Sequence, residues 1–251
     1  MQIYIKRETS MNESSCLNVE EHKIKIIKSA RRSISLRIDN NRNISILCPY
    51  EADIKHISQF VRTKQNWIDK ALAKIENKID LISLDGQEKY LLLNGERIPL
   101  KIEHSDEKVK YKFEQGVLTL FPRTDSKIEL LNLVLHFLGG RLDYLQDMFT
   151  KYGRLITPKR PIHKISWKLM KSRWGSYSSK HNISLNIALV MLPKEIQELV
   201  IVHELCHIQE PNHSRNFYEH LGEYLPNHRE LDKELNKYNL SSIYNCIRIQ
   251  S

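Results

Sequence analysis

The sequence of 251 residues lacks a membrane span: no run approaches the roughly 18 consecutive apolar residues that one requires. Its richest stretch, Ile183 to Leu192, is interrupted by Ser184 and Asn186. Nor does the opening MQIYIKRETSMNESS contain the apolar core of a secretory signal, so a cytoplasmic location is the expectation. Cysteine is scarce and scattered. Cys16, Cys48, Cys206 and Cys246 form no CxxC pair, which argues against a disulfide frame or a cysteine-based zinc knuckle. No repeat and no low-complexity tract is visible. With 41% apolar and 27% charged residues, the composition is that of a folded globular chain.

Acidic residues are absent from one long stretch. Lysine plus arginine number 39 against 30 acids, a net charge of +9. Between Lys151 and Lys180 there are nine basic residues (Lys151, Arg154, Lys159, Arg160, Lys164, Lys168, Lys171, Arg173, Lys180) and no Asp or Glu, so the excess sits there. Such a segment attracts anions, whether phosphate, nucleic acid or acidic peptide, and equally serves as a solvated face.

What is present reads as α+β. Alternating apolar residues predict strands at Lys23–Ile27, Ser33–Ile38 and Ile44–Cys48, with Asp39, Asn40, Asn41 and Asn43 as hairpin-turn residues. Ile54, Ile57, Phe60, Val61, Trp67, Ile68, Leu72 and Ile75 recur at spacings of three and four, predicting one helix from Ala52 to about Ile75. After a loop through Asp85–Gly86 come strands at Tyr90–Leu93 and Arg97–Ile102, joined by Asn94–Gly95. Val109–Phe113 and Val117–Phe121 follow, joined by Gln115–Gly116. The polar break from Pro122 to Ser126 suggests a boundary, giving an N-terminal antiparallel, strand-rich region over 1–125 and a second domain over 126–251.

In the second domain a helix runs from about Lys127 to Lys151, with a break expected at Gly139–Gly140. Pro158 and Pro161 bound a loop, Lys164–Met170 alternates as a strand, Arg173–Lys180 reads as a Gly/Ser-rich turn, and His181–Met191 as another strand. Pro193 suits the first position of the next helix, with Glu195 in its first turn. Pro211 ends that helix, and two short ones follow at Ser214–Leu225 and His228–Lys237.

The third helix carries the chemistry, in VIVHELCHIQEPNH. Residues four apart lie about 40° apart around a helix, so His203 and His207 project from adjacent turns of one face and can grip one ion, with Zn–N distances of about 2.0–2.1 Å. Glu204, beside that face, reaches a zinc-bound water as general base. With 11 histidines in the chain, HExxH arises by chance somewhere in on the order of a few per cent of such sequences. His213, ten residues after His203, is the favoured third ligand. Glu210 stands where HExxHxxGxxH sites have glycine, so its turn must differ and the helix run slightly longer. Glu223, Glu230, His220 and His228 remain competitors. Arg173 and Tyr218 are candidates to stabilise charge developing on a substrate. Trp174 suits the core or a cleft wall, and Cys206 is a small buried apolar residue.

The segments RRSISLRI, FVRTKQNWIDKALAKI, KSRWGSYSSKHNISLN and VIVHELCHIQEPNHSRNFY, in that order, resemble the YgjP-type zinc metallopeptidase family, related to the WLM and SprT-like proteases. The resemblance runs from about Ala30 to Asn236. It implies a zincin-like catalytic domain, zinc (Zn2+) at His203, His207 and His213, and Glu204 as catalytic acid/base. That family usually has cysteine after WGS, where this chain has Tyr177; a neutral tyrosine is a poor zinc ligand, so the change bears on local packing. The expected partner is a polypeptide substrate, with an extended peptide lying along the edge of the His181–Met191 strand. Two other readings stay open: hydrolysis of nucleotide phosphoanhydrides, and a nucleic-acid-binding module contacting its partner through Lys151–Lys180 while a metal orders the fold.

Overall fold

The computed structural model describes residues 14–19, 21–39, 42–84, 87–104, 110–157, 162 and 164–245. Asn40, Asn41, Asp85–Gly86, Val109, Pro158–Pro161 and Cys246 lie outside them. By its contacts the chain divides into two compact units, Met1–Asn77 and Lys78–Ser251. Packing therefore divides at residue 77 rather than at the composition change near 125. Leu91 and Leu118, before that change, share one buried cluster with Leu131, Phe137 and Leu199 after it.

In the first unit, β1 (Ser14–Val19), β2 (His22–Ser29), β3 (Ser35–Ile38) and β4 (Ile44–Pro49) form a sheet in the order β1-β2-β4-β3. The expectation of a purely antiparallel region needs correction here. β3 occupies the edge, so β4 returns beside β2 and runs parallel to it. Ile24 and Ile26 pair with Ile44 and Ile46 on the buried face, while Lys23 and Lys25 point outward. The long helix is two helices, α1 (Ile54–Thr63) and α2 (Gln65–Glu76). Asp53 caps α1 by accepting the His56 N–H at 2.8 Å. The break at Lys64 has a local cause. The Thr63 hydroxyl occupies the Phe60 carbonyl at 2.7 Å, and the Lys64 N–H turns to Val61 instead. Ile57, Val61 and Ile68 are buried as expected, but Ile54 (61% exposed) and Trp67 (49%) face outward.

The second unit starts with β5 (Ile79–Asp80) and β6 (Ile82–Ser83), followed by β7 (Tyr90–Leu93), β8 (Glu96–Ile102), β9 (Tyr111–Glu114) and β10 (Val117–Leu120). Five of these form a sheet ordered β6-β7-β8-β10-β9, with β8 and β10 parallel. Asn94–Gly95 and Gln115–Gly116 all have positive φ (50°, 86°, 51° and 76°), the geometry of two-residue hairpin turns. Helices α3 (Lys127–Gly139) and α4 (Leu142–Ile156) separate at Gly140–Arg141, where the double glycine predicts a break.

Next come β11 (Lys164–Lys168), β12 (Gly175–Tyr177) and β13 (Asn182–Asn186), ordered β11-β13-β12. The expected turn thus contains a strand, and the expected strand ends early. Asn186 accepts the Ala188 N–H at 3.1 Å and starts a 3-10 turn over Ile187–Met191. Helix α5 (Lys194–Cys206) is buried on nearly every side, so it runs through the core. Pro193 is its N-cap, one residue before the expected place. Helices α6 (Arg215–Tyr224) and α7 (His228–Leu235) pack on it, followed by β14 (Tyr238–Asn239), which pairs with β5, and α8 (Ser242–Asn245), which packs on β6. No described helix is long and apolar enough to cross a membrane. Cys16, Cys48 and Cys206 are free thiols.

Candidate metal centre

Helix α5 ends sooner than expected, at Cys206, with His207 as its C-cap still in helical conformation (φ −61°, ψ −18°). His203 and His207 therefore remain one turn apart, their ring centroids 4.9 Å from each other. The chain after His207 turns back, and the Ser214 N–H closes on the Asn212 carbonyl at 2.7 Å. Ser214 then caps α6, accepting the Phe217 N–H at 3.3 Å. This return places His213 Nε2 2.9 Å from His203 Nε2. One ring nitrogen from each of His203, His207 and His213 lies within 4.8 Å of the others. Phe217, fully buried, lies beneath all three imidazoles, at centroid distances of 4.9, 4.6 and 4.9 Å.

The donor chemistry fits a tetrahedral metal. Zinc–nitrogen bonds of 2.0–2.1 Å put neighbouring ligand nitrogens about 3.3 Å apart, which falls between the 2.9 Å separating His203 and His213 and the 4.8 Å that bounds the whole cluster. Burial, reinforced by the neighbouring imidazoles, holds His203 down to about 3, and burial lowers His207 as well, so both keep free lone pairs at neutral pH. His207 Nδ1 lies 3.1 Å from the Glu210 carbonyl. As donor to that oxygen, Nδ1 leaves Nε2 for an ion, the usual outer support of a metal-binding histidine.

None of the rival third ligands joins this group. His220 Nδ1 and Glu223 pair with each other at 3.2 Å on α6. Glu230 is exposed on α7. His228 is buried and contributes to lowering His203, but its ring stacks on Tyr218 at 5.9 Å.

Glu204 is 6% exposed. Burial pushes its carboxyl up to about 7, against the opposing pull of the Arg173 guanidinium and the Tyr177 backbone N–H, which it accepts. Strand β12 supplies that N–H by its register. The Asn186 N–H donates to Trp174 O at 2.8 Å and the Ser178 N–H to Asn182 O at 3.0 Å, so the even-numbered residues turn towards β13. Gly175 and Tyr177 consequently turn their backbone groups to the free edge, where Glu204 waits. The expected peptide-binding edge on the 181–191 segment is not available. β13 is the central strand, and the edge beside Glu204 belongs to β12.

Sequence reasoning missed several of these parts. A Cβ on Gly175 would lie 2.5 Å from Glu204 Cγ and Oε1, so only glycine lets the carboxylate pass beneath the strand. Gly175→Ala should displace Glu204 by about an ångström and cut kcat on the order of a hundredfold. Elemental analysis should find the metal content of that variant unchanged; an active Gly175→Ala enzyme would mean the carboxylate position does not matter. Asn186, fully buried, donates to the Met170 and Arg173 carbonyls at 2.8 and 2.9 Å and so shapes the turn that presents Arg173 and Trp174. Tyr177 stacks over His207 at 6.3 Å and its hydroxyl lies 2.7 Å from His181 Nδ1, the packing role expected of that position. The glycine inside WGS was the one available signal for Gly175. Phe217 and Asn186 looked like any core residue or strand end.

Arg173 is exposed in its turn, and Trp174 is half-buried against the main core. Tyr218 is 43% exposed, its ring stacked 6.2 Å from that of His213. The Cys206 thiol is pushed up to about 12 by burial, which keeps it a thiol at neutral pH.

Comparison with known proteins identifies the family. No curated protein matches the chain. Among solved structures it is similar to the metallopeptidase zymogen of Methanocaldococcus jannaschii jannalysin, at 25% identity over 36% of this chain and 92% of the other, with a TM-score of 0.33. It is also similar to the metallopeptidase zymogen of Pyrococcus abyssi abylysin, at 21% identity over 36% and 90%, with a TM-score of 0.34. The metallopeptidase-domain model of the YgjP-like family matches residues 32–238, most of the sequence and every residue of the histidine cluster, and the chain belongs to that family.

Proposed function

We propose that this protein is a zinc-dependent peptidase, with His203, His207 and His213 as metal ligands, Glu204 as general base and α5 as the active-site helix of a zincin-like domain. The observation that carries the reading is the convergence of three imidazole nitrogens within 4.8 Å beside a buried carboxyl held near 7. When bound, zinc supplies Lewis acidity that polarises a carbonyl and acidifies water. Glu204 takes a proton from the attacking water. The water oxygen bonds to the peptide carbonyl carbon, the carbon–nitrogen bond breaks, and Glu204 delivers that proton to the departing amine. A carboxyl with a pKa near the working pH both accepts and returns a proton readily. The free edge of β12 suits an extended polypeptide, whose backbone amides would pair with Gly175 beside Glu204. Arg173 and Tyr218 stand as the groups to stabilise charge on the substrate oxygen. The phosphoanhydride and nucleic-acid-binding readings gain no support from the family or from this donor set.

Elemental analysis of the purified protein, paired with a peptide-cleavage assay, tests the proposal. Near-stoichiometric zinc and cleavage that a chelator removes and zinc restores are expected. Protein that stays metal-free after zinc reconstitution rules the reading out.

A further inference from the structure

The acid-free, basic segment Lys151–Lys180 includes the strand edge beside Glu204. Seven basic residues of the acid-free segment are described, Lys151, Arg154, Lys164, Lys168, Lys171, Arg173 and Lys180, and all are exposed. Three of them bracket β12: Lys171 and Arg173 in the turn before Gly175, and Lys180 in the turn after Tyr177. Among the described residues, no carboxylate forms an ion pair with Lys171 or Lys180. Carboxylates on the histidine side are partly engaged: Glu219 is held by Arg215 at 2.7 Å and Glu223 by His220 at 3.2 Å, while half-buried Glu210 and exposed Glu230 have no ion pair among the described residues.

We propose that the segment bound along β12 is acidic: the substrates are polypeptides carrying Asp or Glu within about three residues on either side of the cleaved bond. The proposal rests on the peptidase reading above. A strand rises about 3.3 Å per residue, so the three residues of β12 span about 10 Å. Cations in the turns at its two ends thus lie beside residues flanking the bond, and within about one screening length of them at 0.1 M salt. One feature of the edge selects a polypeptide over other polyanions. Its free groups are the backbone N–H and C=O of Gly175 and the C=O of Tyr177, the Tyr177 N–H being taken by Glu204, and these pair with peptide amides. A nucleic acid has the charge but no such amides.

The test uses zinc-loaded Glu204→Gln protein, which separates binding from cleavage. Fluorescence anisotropy would follow three labelled peptides of equal length, acidic, neutral and basic, at about 20 mM and about 300 mM salt. The acidic peptide should bind at least about tenfold more tightly than the neutral one at low salt, with the gap narrowing at high salt. Lys171→Glu combined with Lys180→Glu should reverse the order of acidic and basic peptides while zinc content stays constant. Equal affinity for acidic and neutral peptides overturns the proposal. A single-stranded DNA oligonucleotide that displaces the acidic peptide at lower concentration than the unlabelled peptide itself does so too, and makes nucleic acid the occupant. Wild-type cleavage of the same peptides is measured alongside. Acid-selective binding without any cleavage would sink the peptidase reading and leave β12 as an edge that binds acidic peptides without cutting them, whereas cleavage indifferent to acidity would sink only the proposal made here.

Discussion

Glu204→Gln should keep its zinc and lose turnover by about 10²–10⁴-fold, with the change in kcat rather than KM. Glutamine has nearly the shape of the carboxylate and can still accept the Tyr177 N–H, but it cannot take up a proton. A second consequence follows from the raised pKa and is measurable without any substrate. The carboxyl titrates near 7 in the folded protein against 4.5 ordinarily. Below pH 4.5 it is neutral in both folded and unfolded chains, and burial carries no penalty. As pH rises from 4.5 through 7 the unfolded chain ionises first, so the stability associated with this group is lost. The metal-free variant should therefore match the metal-free wild type in stability at pH 4 and exceed it at pH 8, by on the order of 3 kcal/mol. His203 titrates in the opposite sense, losing stability as pH falls from 6.5 towards 3, but it is common to both proteins and cancels. An active Glu204→Gln enzyme, or identical pH dependences, would remove Glu204 from its assigned role.

The second large effect is expected at the third ligand. His213→Ala should weaken zinc binding by well over the 10–100-fold that follows loss of a mere outer partner. Glu223→Ala, Glu230→Ala and His228→Ala should leave it within that smaller range. The four variants, titrated with a competing chelator, form one experiment. Full affinity in His213→Ala together with a collapse in any other variant would move the ligand to α6 or α7. The geometry behind the expectation is simple. His213 is exposed, and its contacts are with His203, His207, Phe217 and Tyr218, so removing it leaves little else disturbed.

The parts legible in the sequence were those with a local signature. HExxH on an apolar helix needs only four residues of spacing, and the two-residue turns at Asn94–Gly95 and Gln115–Gly116 announce themselves by residue type. The Gly139–Gly140 break is visible for the same reason. What escaped depended on tertiary partners. β12 is three residues long and lies in a Gly/Ser-rich stretch with no alternation to detect, yet its edge holds the candidate general base. The run IALVML after Asn186 is apolar throughout, and such a run has no period to separate a strand from a helix. A single side-chain acceptor, Asn186 Oδ1, makes the difference. Likewise the split at Lys64 hinges on one hydroxyl. Parallel pairing of β2 with β4 and of β8 with β10 is decided by which strand takes the edge, and that is a property of the whole sheet.

The hairpin between β7 and β8 has a consequence for the far end of α5. Its tip donates from the Asn94 and Gly95 N–H groups to the Val190 and Met191 carbonyls, each at 3.0 Å, and Pro193 lies where a side chain on Gly95 would stand, 2.7 Å from that Cβ position. Gln197, one turn into the helix, is tied to Asn94 at 3.0 Å and to the Leu192 carbonyl at 2.6 Å. Helix α5 is therefore a strut with a fixed footing. At 1.5 Å per residue its foot lies roughly 14 Å from His203. A rigid rod passes a displacement at one end on to the other, so alignment of the histidine cluster is set partly by a hairpin about a hundred residues earlier in the chain that never touches it.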